Sequence, residues 1–148
     1  MRVNAVDAAA IVTAIGVAVA AWQLWLAYRQ ATTAFEDSLS AQYRQLMQLL
    51  PVEALLGGSL SEEAHVTALP VFFHYFDFCN EQAFLHKKRR IRCSTWREWR
   101  EGIEQNLRRP AFARAWGEVA MRVPDSFDEL RLVCKPLPLQ AKEDATAL

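Results

Sequence analysis

The sequence AAAIVTAIGVAVAAWQLWL, residues 8–26, decides the architecture because nineteen consecutive residues carry no formal charge. A helix rises about 1.5 Å per residue, so a run of this length spans roughly the 30 Å of a bilayer's hydrocarbon core. Trp22 and Trp25 lie near its C-terminal end and Arg29 follows, an arrangement typical of side chains at a membrane–water interface. We therefore predict a membrane anchor over residues 1–29.

Two other interpretations of this run stay open. A cleaved signal peptide has a basic start, an apolar region and a small-residue cleavage pattern, which Ala18 and Ala20 supply here. Against it, Asp7 accompanies Arg2 at the start, and the apolar run continues to Leu26. The second alternative, the buried core helix of a soluble protein, is usually shorter.

The predicted anchor carries small residues at four-residue spacing. Gly16 and Ala20 form one such pair, and alanines at positions 10, 14 and 18 form an adjacent ridge. Small side chains at this spacing allow transmembrane helices to approach closely. We predict that Gly16 and Ala20 are transmembrane packing residues. The alternative is that the small residues only make the span weakly hydrophobic and have no packing role.

The charges around the anchor predict its orientation. Arg2 is balanced by Asp7 before the run, whereas Arg29 and Arg44 follow it, so the positive-inside rule favours a cytoplasmic C-terminal part. Three cysteines, an odd number at irregular spacing, suit a reducing compartment. We expect a single-pass protein of the inner, cytoplasmic membrane whose C-terminal domain is cytoplasmic.

In the rest of the chain, the spacing of apolar residues predicts helices that are separated by proline and glycine. Residues 30–50 have helical apolar spacing and no Gly or Pro before them, so they can extend the anchor helix. Ser61 is a predicted N-cap. The run VFFHYFDFCNEQAFL at residues 71–85 predicts a central helix, since it leaves almost no polar face. Pro70, just before it, either opens this helix or kinks it.

Later helix boundaries are predicted from caps and prolines. Thr95 with Glu98, and Ser126 with Glu129, match the capping-box pattern at a helix start. Pro110 ends one helix and opens the next.

Together these signals predict an all-α fold. One N-terminal transmembrane helix is followed by a compact bundle of four to five helices over residues 30–135. The polar tail at residues 136–148 is predicted to be disordered.

A polar group on the aromatic helix is the candidate site. Asp77 and Glu81 lie four residues apart, with Asn80 beside them. Polar side chains on so apolar a helix are costly unless they are paired. They serve either as an acid/base pair in a pocket or, as we favour, in a structural network with arginines. If the domain holds a buried polar cluster, we expect it here.

The sharpest surface feature is a basic segment. It comprises five cations within six residues: Lys87, Lys88, Arg89, Arg90 and Arg92. Residues 86–109 hold nine Lys and Arg and three Glu, a local charge of +6, and the rest of the chain carries −6. This segment has three alternative roles. It contacts anionic lipid, it binds nucleic acid with Trp96 and Trp99 as stacking rings, or it is a solvated turn. Nucleic acid is an unlikely partner because both tryptophans lie at core spacing with Ile103 and Leu107, and because the chain's net charge is zero.

Other site classes are not indicated. The His and Cys residues at 65, 74, 79, 86 and 93 are five to nine residues apart, which matches no usual metal-binding spacing. No nucleophile-elbow motif is present. We therefore predict neither metal nor cofactor and a non-enzymatic protein.

Several phrases of the chain together resemble a known family. They are FED at Phe35–Asp37, YRQL at Tyr43–Leu46, YFDFCNEQAFL at Tyr75–Leu85, WREWREGIEQNLRRPAF at Trp96–Phe112, AW at Ala115–Trp116 and SFDEL at Ser126–Leu130. This set resembles uncharacterised prokaryotic helical domains of the DUF4760 type, over most of residues 35–130. The resemblance implies a bacterial all-helical domain behind a hydrophobic helix, and it supplies no known catalytic residues to carry over.

The expected function is that of a membrane-anchored interaction module. We expect contact with membrane lipid, and either a protein partner or a homo-oligomer. One alternative is a small membrane-associated hydrolase or nuclease that uses Asp77 and Glu81. Another is an accessory or membrane effector in stress or phage defence.

Overall fold

The computed structural model describes residues 5–134, so the predicted disordered tail at 136–148 lies outside the described residues. The helices are α1 (Ala5–Leu49), α2 (Val52–Leu55), α3 (Glu62–Lys87), α4 (Cys93–Leu107), α5 (Pro110–Arg122) and α6 (Asp128–Val133). No strand occurs among the described residues. The predicted all-α fold, a long apolar N-terminal helix followed by a bundle of helices, is confirmed.

The chain consists of two compact units, and the boundary between them lies inside α1, between Gln42 and Tyr43. The described part of the first unit is helical throughout. The last turns of α1 and the helices α2 to α6 belong to the second unit, which we call the bundle. The predicted anchor ends earlier, at residue 29, but the helix continues through this point because no Gly or Pro interrupts it.

The central helix of the bundle is α3, which packs against α4, α5 and α6. Its aromatic run places Phe72, Tyr75 and Phe76 in the core, all fully buried. The ring of Phe112 from α5 meets Phe72 and Tyr75 edge-on, with centroids 5.0 and 5.2 Å apart. Edge-to-face pairs contribute about 0.5–1.5 kcal/mol each beyond the area that they bury, so this aromatic cluster is a principal source of the bundle's stability.

The start of α3 agrees with the sequence. The Ser61 hydroxyl accepts a hydrogen bond from the Ala64 N–H at 3.2 Å, which confirms the predicted N-cap. Pro70 lies inside α3 rather than at its start. A proline inside a helix removes one backbone hydrogen bond, so here the packing of a long helix outweighs that loss.

Prolines and glycines set other boundaries as predicted. α1 ends before Pro51, which is the N-cap residue of α2. Gly57 follows α2 with a positive φ of 87°, a conformation that costs glycine little because it has no Cβ. α5 begins at Pro110, in its first turn, where the missing N–H would have had no partner within the helix.

The predicted capping box of Thr95 and Glu98 is wrong. α4 begins two residues earlier, at Cys93, and its N-cap residue is Arg92, which makes no side-chain capping bond. Ile91 lies immediately before this cap and is buried, with 3 % of its surface exposed. Burial of the Ile91 side chain fixes the position at which the chain enters α4. A capping pattern in the sequence does not show which neighbouring side chain will be buried.

Candidate functional site

The apolar run of α1 is exposed on all sides of the helix. Every side chain from Ala8 to Ala31 is exposed. Among the described residues α1 is the one helix long and apolar enough to cross a membrane, and none of that apolar stretch is buried. Among the described residues it is therefore not a core helix, whereas a signal sequence would have the same length and composition.

The C-terminal end of the run has the chemistry of a membrane interface. The rings of Trp22 and Trp25 lie with centroids 5.2 Å apart. The Arg29 guanidinium lies 4.8 Å from the centroid of the Trp25 ring, within cation–π range. Trp prefers headgroup depth because one part of its ring system is apolar and another is polar.

The predicted packing residues Gly16 and Ala20 both lie on this exposed helix. A Cβ added at Gly16 would meet no heavy atom within 4 Å. The helix surface at Gly16 is therefore open to a Cβ among the described residues.

The predicted polar group does not form a buried cluster. Asp77 and Glu81 are exposed, and Asn80 is half-buried. The expectation of burial is wrong because α3 turns these two carboxylates away from the aromatic core. The buried polar side chains of the bundle are instead His65, Gln82 and Asn106. The hydrolase alternative and the non-enzymatic one both stay predictions.

Asn80 caps a helix that is distant in sequence. Its Oδ1 accepts hydrogen bonds from the N–H groups of Glu129 and Leu130, at 3.1 and 3.0 Å. These donors lie in the first turn of α6, whose N–H groups have no partner inside the helix. The predicted capping box of Ser126 and Glu129 is therefore wrong: the N-cap residue is Phe127, it makes no side-chain capping bond, and α3 supplies the acceptor.

Replacing Asn80 by alanine is expected to lower the bundle's free energy of unfolding by about 1–2 kcal/mol, because two helix N–H groups lose their acceptor. Urea unfolding of the full chain in mild detergent, followed by tryptophan fluorescence, measures this loss. The matched control is Asp77→Ala on the same helix, where exposure predicts a change within about 0.5 kcal/mol. Equal midpoints for the two variants would contradict the capping role.

A second long-range pair joins α3 to α5. His65 is buried, with 1 % of its surface exposed, and its Nε2 lies 2.8 Å from the Glu118 carboxylate. This hydrogen bond, helped by Arg122, holds the pKa of Glu118 below its usual range. The partners are 53 residues apart in the sequence, so spacing could not reveal them. The pair holds two helices together, and the imidazole is too buried to meet a solute.

The Tyr75 hydroxyl and the Cys79 thiol are buried, and Cys134 is half-buried. The Asn106 amide donates a hydrogen bond of 2.9 Å to the Tyr75 hydroxyl inside the core. Burial raises the pKa of the Cys79 thiol to about 12 and that of Cys134 to about 11. Both therefore stay protonated at neutral pH, and a thiol is a poor nucleophile compared with a thiolate. Cys93 is the exposed cysteine of the three.

The basic segment comprises Lys87, the last residue of α3, and the turn that leads to α4. All five cations are exposed. Lys87 Nζ lies 2.5 Å from the Glu129 carboxylate, and Lys88 Nζ lies 5.3 Å from the centroid of the Phe84 ring. Trp96, a predicted stacking ring, is instead stacked on His86 at 5.1 Å with an interplanar angle of 12°, so one face of that indole is covered.

The described residues contain no group of three or more His, Cys, Asp and Glu side chains arranged to hold a metal ion. Comparisons with protein-family models, curated proteins and solved structures found no match. The resemblance to domains of the DUF4760 type therefore stays a prediction.

Proposed function

We propose that this protein is a single-pass membrane-anchored helical module that binds a protein partner or a second copy of itself. The observation that carries the proposal is the apolar run of α1, exposed around the whole helix from Ala8 to Leu26. So much exposed apolar surface on one helix is unfavourable in water, and a bilayer covers it without any partner. The bundle then has its own aromatic core and is free to present a surface.

We place the anchor in the inner membrane and the bundle in the cytoplasm. The cations that follow the apolar run support this orientation through the positive-inside rule. The cysteines also support it: Cys79, Cys93 and Cys134 are free thiols, as is usual in a reducing compartment.

Two arginines in the middle of the span are expected to release the chain from membranes. An arginine at the centre of a transmembrane helix costs about 2.5–3.5 kcal/mol on the insertion scale, so Ile15→Arg with Val19→Arg opposes the whole gain from the apolar side chains. The measurement is the share of full-length protein that stays with membranes after extraction at alkaline pH.

The matched control carries the same charge change in the polar part of α1. Gln42→Arg with Gln45→Arg, at two exposed positions, should stay with membranes like the unaltered chain. If the unaltered chain were extracted, or if the Ile15 and Val19 variant stayed bound, anchoring by this helix would be disproved.

Orientation is measured with the exposed Cys93. A membrane-impermeant maleimide should label it in spheroplasts only after the membrane has been permeabilised. Labelling of intact spheroplasts would place the bundle outside the cytoplasm.

Self-association is measured by crosslinking in membranes. Gly16→Leu should reduce crosslinked dimer if the small-residue face packs against a second copy, and a Cβ at this position meets no heavy atom of the described residues within 4 Å. Val17→Leu is the control, at an exposed position off this face. Equal crosslinking of all three proteins would leave a different protein as the partner.

A further inference from the structure

The C-terminal end of α3 is closed by a Schellman motif that carries an arginine in an unusual place. The Arg89 N–H donates to the His86 carbonyl at 2.8 Å, and the Arg90 N–H donates to the Leu85 carbonyl at 3.0 Å. Arg89 has a positive φ of 58°. This position of the motif is usually glycine, because a Cβ crowds the backbone in the left-handed region.

The same chain closes α2 with the same motif and uses glycine there. The Gly57 N–H donates to the Ala54 carbonyl at 3.2 Å, and the Gly58 N–H donates to the Glu53 carbonyl at 2.8 Å. The backbone of α3 therefore adopts a conformation that glycine would adopt at lower cost. Within residues 5–134, the Arg89 guanidinium makes no hydrogen bond or ion pair. Neither the turn nor a contact with another of the described residues accounts for arginine at this position.

The surroundings of Arg89 form a fixed basic surface. From residue 87 to residue 97 the chain holds six cations and no acidic residue, and of these cations Lys87 is paired with the Glu129 carboxylate of α6. The buried Ile91 side chain attaches the turn to the core, so the cations project from a defined backbone. Phe84 is exposed beside them, under Lys88, and supplies the apolar contact that interfacial segments add to their cations.

We propose that the basic segment, Lys87 to Arg92, binds the anionic headgroups of the membrane that holds α1; this rests on the proposed anchoring. An anchored chain confines the bundle near a bilayer surface, so a weak attraction to lipid is sufficient. Each cation near an anionic surface strengthens binding by about fivefold. Backbone strain at a residue that has no partner among the described side chains is typical of functional positions, and the arginine gives this surface a cation where glycine would give none.

Nucleic acid fits the surface less well. Single strands bind to exposed aromatic rings next to cations, but one face of Trp96 is covered by His86 and Trp99 is half-buried. The whole chain also has no net positive charge. Phosphate groups presented by a surface need only the exposed cations.

The test uses the full chain reconstituted in vesicles of phosphatidylcholine, alone or mixed with an equal amount of phosphatidylglycerol. The rate at which an uncharged polyethylene-glycol maleimide modifies Cys93 reports contact, because Cys93 directly follows the basic segment and is exposed. We expect modification to be at least about fivefold slower on the anionic vesicles, and about 0.5 M salt should restore the rate by screening.

Arg89→Gly separates a lipid-binding role from a structural one. Glycine relieves the left-handed backbone, so the urea midpoint of the variant should rise while the protection of Cys93 on anionic vesicles falls. Arg108→Gln, at an exposed residue after α4, removes the same charge and should leave the protection unchanged. A higher midpoint with full protection in Arg89→Gly would overturn the role of Arg89.

Flotation on neutral vesicles separates this inference from the proposed function. A chain that fails to float has no anchor, and both proposals fall. A chain that floats but shows equal Cys93 rates on both vesicle types keeps its anchor and has no lipid-binding surface. Slower modification on neutral vesicles when a single-stranded oligonucleotide is added, with no effect of anionic lipid, would assign the surface to nucleic acid and overturn the proposal.

Discussion

Phe112→Ala is expected to lower the bundle's free energy of unfolding by about 3–5 kcal/mol. The Phe112 ring is fully buried and meets the rings of Phe72 and Tyr75 edge-on. Alanine removes both contacts and leaves a cavity that the neighbouring helices cannot fill without moving. Domains of this size are stable by only about 5–15 kcal/mol, so the urea midpoint of the full chain in mild detergent should fall steeply.

Met121→Ala is the matched control for this loss. Met121 lies on the same helix as Phe112, but 78 % of its surface is exposed. Its removal should change the free energy of unfolding by no more than about 0.5 kcal/mol. Similar midpoint shifts in the two variants would show that the Phe112 ring does not pack as the structure places it.

Phe127→Ala is expected to destabilise the bundle more than Phe127→Gly, although both remove the same ring. The ring is 5 % exposed and packs edge-on against Phe73 and Trp116, at 5.4 and 5.9 Å, so either change costs about 3–5 kcal/mol. The backbone at Phe127 is left-handed, with φ 65°. Alanine keeps the steric cost of this conformation, about 1–2 kcal/mol, whereas glycine does not.

The order of the two substitutions should reverse where the backbone is a regular helix. Leu130 is fully buried in α6, three residues beyond Phe127. There alanine should be the more stable replacement, by about 1 kcal/mol, because glycine is the poorer helix former. The test compares the unfolding midpoints of the alanine and glycine variants at Phe127 and at Leu130. A Phe127→Ala protein as stable as Phe127→Gly would contradict the left-handed backbone.

Strong local signals predicted much of the fold. Ser61 and Pro110 begin helices as expected, because a cap hydroxyl and a proline ring act within one turn of the chain. The aromatic run of α3 was also predicted to be central, since a helix without a polar face must be buried in a soluble domain.

Weaker local signals failed where a distant residue competed with them. The predicted caps at Thr95 and Ser126 are wrong because burial of Ile91 and Phe127 determines where the chain enters α4 and α6. Asn80 caps α6 and does not form a buried cluster with Asp77 and Glu81, and its partners are 49 and 50 residues away. No sequence spacing predicts that an amide on one helix will cap another.

The sequence by itself determined the apolar run at residues 8–26 and the basic segment at residues 87–92, because charge and hydropathy are properties of consecutive residues. Only the tertiary structure decided which polar groups are buried: His65 meets Glu118, whereas Asp77 and Glu81 face outward. Burial depends on which helices pack together, and helical periodicity gives the spacing of a face without identifying the surface that covers it.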